Sequence, residues 1–390
     1  MVTLRNYQQS MLNLIKNAFA LGRKRVIMQL PTGSGKTALF SSISKMAIDK
    51  GSSVLVITDR AELLQQSGNT LERFGLTVSI LSAKTKQLTA GNLYVGMVET
   101  IKRRILRPDY EKFVQSFNMI IIDECHVQSF NRIFESLTVF QYVIGATATP
   151  IRSGKMRELK LDYDEIITGV QIHELIETGF LSPVETFGVK IDLTGVRTLA
   201  GDYAADDLEK IYAKKYVGAV ENYLKHTPGK KALCFCATVK NSIDLSAEFE
   251  RAGVSSKHID ATTPENERAQ ILADFDAGKF NVLSNVGILT KGYDCPTIET
   301  IILYRATQSL PLFLQMCGRG SRIATGKQKF TILDFGNNVL RHGFWEEKRY
   351  WSLENEIKKE RGKKDIATVK ICPQCEAMIY VSVKICGFCG

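Results

Sequence analysis

No apolar run in this chain approaches the ~18 residues that a membrane-spanning helix requires, and Met119-Ile120-Ile121-Ile122 is typical of the longest. The opening Met1-Val2-Thr3-Leu4-Arg5-Asn6-Tyr7-Gln8 has no apolar core of the kind a secretory signal needs. Low-complexity tracts and short internal repeats are missing too, which excludes a repeat array. Histidine is scarce: His173, His226, His258 and His342 are scattered as expected of surface or hydrogen-bonded core residues, and only His126 falls in a motif. No nuclease-like constellation follows Phe335. Nine cysteines is an odd number, and four crowd into the last nineteen residues. That is a metal pattern in a reducing compartment and not a disulfide framework, so a cytoplasmic protein is expected.

The 390 residues correspond to two or three folded units at ~150 residues per domain. With 44% hydrophobic and 24% charged residues the composition is that of an ordinary globular chain. Lysine plus arginine exceeds aspartate plus glutamate by 51 to 41, a surplus of +10 that favours a polyanionic partner. Short apolar runs recur at 25–30, 53–59, 93–98, 117–123 and 140–146, and again at 231–237, 281–285, 300–304 and 330–335. Each is bounded by turn residues and followed by a helical stretch, the signature of strands buried on both faces of a parallel sheet. The pattern predicts an α/β chain of two tandem parallel-sheet domains: residues 1–155, a linker over 156–182, and residues 183–340. A charged segment of helical period (341–365) and a cysteine module (366–390) follow.

Run 25–30 leads into Pro31-Thr32-Gly33-Ser34-Gly35-Lys36-Thr37 and then a helix. Glycines let backbone N–H groups curl around a phosphate at the positive end of the helix dipole. Lys36 suits the β- and γ-phosphates, and the Thr37 hydroxyl suits Mg²⁺. Leu30 stands where a strict phosphate-loop pattern has glycine. Further on, an apolar strand ends in Asp123-Glu124-Cys125-His126. Adjacent carboxylates there are costly without a cation. Asp123 is the candidate Mg²⁺ partner and Glu124 the candidate general base.

Together these motifs resemble the superfamily 2 helicases, with Asp-Glu-Cys-His as the DEAD/DEAH-type box. Arg5 and Gln8 are similar to the adenine-reading Q motif, Thr58–Gln66 to motif Ia, Gly96–Thr100 to Ib and Gly145–Pro150 to III. In the second half Cys236–Thr238 resembles motif IV, Asn285–Asp294 motif V and Gln315–Arg322 motif VI. The resemblance implies two RecA-like domains. It gives ATP contacts to Arg5, Gln8, Thr32, Gly33, Ser34, Gly35, Lys36, Thr37, Asp123, Gly292 and Asp294. Arg319 and Arg322 become arginine fingers, His126, Thr147, Thr149 and Gln315 coupling residues, and Arg60, Thr100 and Thr290 the nucleic-acid track. Cys125, Thr147 and Gln315 depart from the RNA-unwinding DEAD-box pattern. They point to DNA-acting motors related to XPB, RecG and type III restriction enzymes, with the bacterial RadD-like repair helicases the nearest likeness. DNA repair, recombination or replication is the role that likeness implies, with a monomer expected. An RNA-dependent ATPase, a restriction or defence motor subunit and a non-cycling ATP-gated DNA clamp are the alternatives.

Cys372-Pro373-Gln374-Cys375 and Cys386-Gly387-Phe388-Cys389 are two C-x₂-C pairs ten residues apart, the pattern of a tetrahedral four-cysteine Zn²⁺ site. Residues 376–385 have the length for a short hairpin between the pairs. Four cysteines close the shell, so the site is structural, with docking to DNA or to a protein partner as its expected task. The basic residues Lys102, Arg103, Arg104 and Arg107 after motif Ib are candidates for phosphate contacts.

Overall fold

A computed structural model describes residues 4–59, 68, 71–85, 87–88, 91–126, 130–152, 157–214, 218–290, 292–354 and 368–390. The chain forms two compact units, one of residues 1–171 with 349–361 and one of residues 172–348 with 362–390. Among the described residues no helix is long and apolar enough to cross a membrane.

In the first unit, strands β1 (Arg25–Gln29), β2 (Val54–Thr58), β3 (Ser79–Leu81), β4 (Leu93–Met97), β5 (Met119–Asp123), β6 (Tyr142–Thr147) and β7 (Glu165–Thr168) make one sheet. Its order is β3-β4-β2-β5-β6-β1-β7, with every pairing parallel. Strand side chains alternate between faces, so a strand covered on both must be apolar throughout. In β2, Val54 and Val56 pack with Met11, Leu12 and Ile15 of helix α1 (Asn6–Ala20) and with Leu39, Phe40 and Ile43 of helix α2 (Lys36–Asp49). Leu55 and Ile57 pack on the opposite face with Val98, Ile101 and Phe117.

The second unit repeats the plan with β8 (Val184–Gly188), β11 (Ala232–Cys236), β12 (Ser256–Ile259), β13 (Val282–Asn285), β14 (Thr300–Tyr304) and β15 (Phe330–Asp334). The order is β12-β13-β11-β14-β15-β8, again all parallel. Residues between β8 and β11 include a small hairpin of β9 (Thr198–Leu199) and β10 (Asp202–Tyr203). Its Asp202 accepts from the Thr307 hydroxyl at 2.7 Å and from Gln308 N–H at 2.6 Å. Strands β16 (Val369–Ile371) and β17 (Met378–Tyr380) form an antiparallel pair in the cysteine region.

Four expectations need correction. The nine predicted strands are present, but β3, β7, β8 and β12 also exist and form the two margins of each sheet. Residues 156–182 are not only a linker, because β7 adds to the first sheet beside β1. The helical reading of 341–365 fails over its described part. One short helix covers Asn338–His342, and residues 343–354 are irregular. Trp345 is buried there and donates its indole N–H to Leu314 O, whereas residues 349–354 rejoin the first unit, where Lys160 N–H donates to Leu353 O. Its basic end, 355–364, lies outside the described residues. The cysteine-region hairpin also differs from expectation, since β16 precedes the first cysteine pair and only β17 lies between the pairs.

At the end of β15 the buried Asp334 accepts from Gly336 N–H (2.9 Å), Val339 N–H (2.8 Å) and the Asn338 amide (2.9 Å). Asn338 in turn donates to Arg305 O and accepts from Thr307 N–H. Backbone packs so closely here that a Cβ on Gly336 would sit 2.2 Å from Arg305 O. Gly336→Ala is therefore expected to destabilise the second unit by about 1–3 kcal/mol, as overpacking does, and a thermal unfolding curve checks it.

Candidate active site and metal centre

Strand β1 delivers the chain into the 31–35 loop, and α2 begins at Lys36 with Gly35 preceding it at φ 79°. Gly33 lies at φ 85°, so both glycines occupy left-handed backbone that other residues adopt only at a cost. Ser34 closes the turn, with its N–H 3.3 Å and its hydroxyl 2.7 Å from Pro31 O. The first N–H groups of α2 have no acceptor within the helix, which makes this end an anion site. Lys36 Nζ rests on Leu30 O (3.3 Å) and Pro31 O (3.4 Å). The half-buried Thr37 follows in the first helical turn, and Thr32 is half-buried in the loop.

Gln8 was expected to read a base, and its geometry shows a second task. The side chain is buried, and its Oε1 accepts from Arg5 N–H at 2.9 Å. Its Nε2 donates to Ser34 O (3.0 Å) and Gly35 O (3.3 Å), while the Tyr7 hydroxyl also donates to Ser34 O (2.8 Å). Helix α1 thereby clamps the phosphate loop. A Cβ on Gly35 would lie 2.7 Å from Gln8 Nε2, so a larger residue there would displace the clamp as well as strain the backbone.

Asp123 ends β5 and is buried. Burial first, and then the neighbouring Glu124 carboxylate, push its pKa up to about 7, against the pull of Lys36. That balance is what a cation-binding carboxylate looks like before the cation arrives, so Asp123 fits Mg²⁺. Glu124 stands at φ 48°, an unusual conformation for its residue type, which costs about 1–3 kcal/mol and is typical of functional sites. Its Oε2 lies 3.5 Å from His126 Nδ1 and accepts from the Thr147 hydroxyl at 3.4 Å. His126 Nδ1 is 2.9 Å from the same hydroxyl, which also accepts from Thr149 N–H at 3.0 Å. Glu124, His126, Thr147 and Thr149 are thus one cluster, assembled from the ends of β5 and β6. Burial pushes the Cys125 thiol up, consistent with a packing residue.

Two buried residues beside this cluster carried no motif signal. Arg152 pairs with Asp162 at 2.8 Å, with both side chains fully buried. It also donates to Cys125 O (3.3 Å), His126 O (3.3 Å) and Arg157 O (3.1 Å), fixing the backbone that carries Glu124. Its position two residues past Pro150 was the only available hint.

In the second unit, Arg319 is buried and its guanidinium donates to Thr290 O (3.2 and 2.9 Å) and to Tyr293 O, so motif VI holds motif V by its backbone. Arg322 is partly buried, forms an ion pair with Asp294, and has its pKa lowered to about 10 by burial. Gly292, between Thr290 and Tyr293 in sequence, is at φ 79°. Lys327, which no motif flagged, donates to Gly320 O (2.6 Å), Arg322 O (2.8 Å) and Pro296 O (3.1 Å). Gln315 is buried in the helix Leu310–Cys317. Of the track residues, Arg60 lies outside the described residues, and Thr100 and Thr290 are largely buried, Thr290 donating its hydroxyl to Gly287 O at 2.9 Å. Arg104 is engaged with Thr85 O, Ala83 O and the Tyr110 hydroxyl, and Arg107 with Asp109, so those two basic residues serve local structure. Arg103 is exposed.

Cys372, Cys375, Cys386 and Cys389 place their sulfurs within 4.8 Å of one another, which fits one tetrahedral ion. The N–H groups of Cys375 and Gln374 draw the Cys372 thiol down to about 6, as a metal-binding turn does. Cys234 and Cys236, by contrast, share one buried strand face with sulfurs 3.6 Å apart and face the core.

Residues 1–152 match the family described as type III restriction enzyme, res subunit, and residues 215–324 match the helicase conserved C-terminal domain. The chain is 33% identical over 372 residues to a 51.5 kDa protein of a Lactococcus phage, an alignment covering 93% of this chain and 77% of that protein. It is 31% identical over 357 residues to a Saccharomyces cerevisiae protein assigned as the ATP-dependent helicase IRC3. That match covers 85% of this chain and 51% of the yeast protein, so the chain spans about half of its length. A solved fragment assigned to the HsdR subunit of a Vibrio vulnificus type I restriction enzyme has a TM-score of 0.69 at 22% identity, covering 88% of this chain and 66% of that one. The RecA-like two-domain fold follows from that likeness.

Removing one partner of a fully buried ion pair costs about 3–5 kcal/mol where the other charge is left uncompensated. Asp162 also pairs with Arg157 at 2.9 Å, so Arg152→Met, which keeps the bulk and removes the charge, is expected to destabilise the first unit by less than that, on the order of 1–3 kcal/mol from the lost hydrogen bonds to buried carbonyls. Chemical denaturation monitored by circular dichroism measures it.

Proposed function

The chain belongs to the superfamily 2 helicases, ATP-dependent motors, and from that membership we propose that it uses ATP and Mg²⁺ to move along DNA. The observation that carries the reading is the Glu124–His126–Thr147 cluster beside a buried Asp123 whose pKa is raised. Glu124 is the general base for the attacking water, Asp123 and Thr37 hold Mg²⁺, and Lys36 with the 31–35 loop holds the phosphates. When bound, Mg²⁺ neutralises the charge on the β- and γ-phosphates. His126, Thr147, Thr149 and Gln315 couple hydrolysis to movement. Arg319 and Arg322 are the arginine fingers, Arg322 starting from its ion pair with Asp294 and Arg319 from its hold on the motif V backbone. Gly292 and Asp294 complete the nucleotide contacts, and Arg5 and Gln8 the adenine side.

DNA over RNA rests on the departures from the DEAD-box pattern at Cys125, Thr147 and Gln315 and on the match of residues 1–152 to a restriction-enzyme family. Backbone-directed tracking through Arg60, Thr100 and Thr290 would be largely independent of base sequence. The four cysteines bind Zn²⁺. A cytoplasmic monomer acting in DNA repair or recombination is the setting proposed. The restriction-family match also favours a second reading, the motor subunit of a restriction or defence complex whose nuclease is another chain.

Steady-state ATPase activity with no nucleic acid, single-stranded DNA, blunt duplex, forked DNA and RNA tests the substrate. DNA is expected to stimulate and RNA not, with stimulation weakening as salt rises because the contacts are to phosphates. Stimulation by RNA alone would overturn the DNA assignment. Lys36→Ala and Glu124→Gln are expected to lower turnover at least about 100-fold, the scale of removing a general base, with circular dichroism unchanged. A folded Glu124→Gln protein with full turnover would remove Glu124 from the role.

A further inference from the structure

The cysteine module belongs to the second unit and packs into its core. Cys372 and Cys386 are buried in the same apolar cluster as Phe187, Tyr223 and Cys236. Strand β8 is a margin of the second sheet, paired on one side with β15. On its open side Phe187 bridges Ala377, and Gly188 donates its N–H to Glu376 O at 3.0 Å. Glu376 follows Cys375 directly and sits at φ 64°, and its neighbour Ala377 returns a carbonyl to Cys372 N–H at 2.8 Å. The Phe187 ring meets Phe388 of the second cysteine pair with centroids 5.4 Å apart. Contact at Gly188 is so close that a Cβ there would lie 2.3 Å from Met378 Cε.

The other end of β8 meets the arginine segment. Ser182, two residues before the strand, donates its N–H to Ser321 O (2.7 Å) and its hydroxyl to Arg322 O (2.9 Å). The segment 182–188, a five-residue strand and the two residues before it, therefore touches the cysteine module at one end and the Ser321–Arg322 backbone at the other. A module of about twenty residues with little core of its own holds its shape only with metal. Without it, the end of β8 loses the Gly188–Glu376 backbone hydrogen bond and the Phe187 packing that hold it on its open side.

We propose that Zn²⁺ at Cys372, Cys375, Cys386 and Cys389 locks β8 and thereby sets the register of the arginine segment, making the metal centre an internal strut of the motor and not an appended docking module. The proposal rests on the zinc reading above, and the experiment separates the two. Zinc in the purified full-length chain is measured by mercurial release into 4-(2-pyridylazo)resorcinol, with one ion per chain expected. Chelation is expected to lower the unfolding midpoint by on the order of 5 °C. It should also lower kcat at least tenfold, and zinc should restore both. Because chelation could act by unfolding alone, Ser182→Ala supplies the specific arm, as it cuts only the hydroxyl link to Arg322. That variant is expected to keep its zinc and midpoint, keep the KM for ATP within twofold, and lose kcat several-fold. Met378→Ala with Phe388→Ala loosens the docking while leaving all four cysteines, and should keep the zinc while losing both midpoint and kcat. A chain without bound zinc would overturn the zinc reading and the strut with it. A zinc-loaded chain unchanged by chelation, or a Ser182→Ala protein with wild-type kcat, would overturn the strut alone.

Discussion

Two carboxylates at the end of a wholly apolar strand set the terms for the first unit. Asp123 and Glu124 sit where β5 emerges between β2 and β6, a setting that penalises charge unless a cation answers it. Lys36 answers in part, and the rise of Asp123 to about 7 shows that it does not answer fully. Everything nearby then acquires a reason. The phosphate loop is clamped by Gln8 and Tyr7 so that its lysine stays beside the strand end. Arg152, itself neutralised by Asp162, grips the carbonyls of Cys125 and His126 so that Glu124 can hold an unfavourable φ. On the proposed reading, the Mg²⁺ that accompanies a nucleotide would supply the missing positive charge and so relieve a tension that the apolar sheet creates.

The pattern of what could be read in advance follows from the same burial rule. All nine strands expected from apolar runs are interior strands, and the four that were missed are the margins β3, β7, β8 and β12. An interior strand of a parallel sheet is covered on both faces, so every residue of β2, β11 and β14 is buried and the run is continuous. A margin strand is not. Ser79-Ile80-Leu81 and Ser256-Lys257-His258-Ile259 each put a residue into solvent, which breaks the run. The linker 156–182 was misjudged for the same reason, since Glu165 and Thr168 disguise a strand.

Candidate site residues stand out in the sequence where a proposed chemical task would fix residue type at fixed spacing. The 31–37 loop, the Asp123–His126 box and the paired cysteines are of that kind, because phosphate, Mg²⁺ and a tetrahedral ion each demand particular atoms. Residues that act by holding other residues were illegible. Ser182 and Lys327 hold their partners through carbonyl groups, and Arg152 does so beside its pair with Asp162; every residue possesses a carbonyl, so no pattern of neighbours announces them. The two arginines of motif VI fall between these cases. Sequence marks both, and only geometry separates Arg319, buried against the motif V backbone, from Arg322, paired with an exposed Asp294.

That separation bears on how a motor can wait without firing. An arginine that stabilises a transition state must be available on demand and harmless otherwise. The Asp294 carboxylate holds Arg322 in an ion pair, so the finger role proposed for that guanidinium would begin with the exchange of one anion for another. Such an exchange needs only a small free-energy difference, and the backbone beneath it must not drift meanwhile. Lys327, Ser182 and the Arg319 guanidinium fasten the segment from three directions. A charged side chain on a fixed backbone is what preorganisation requires of such a group.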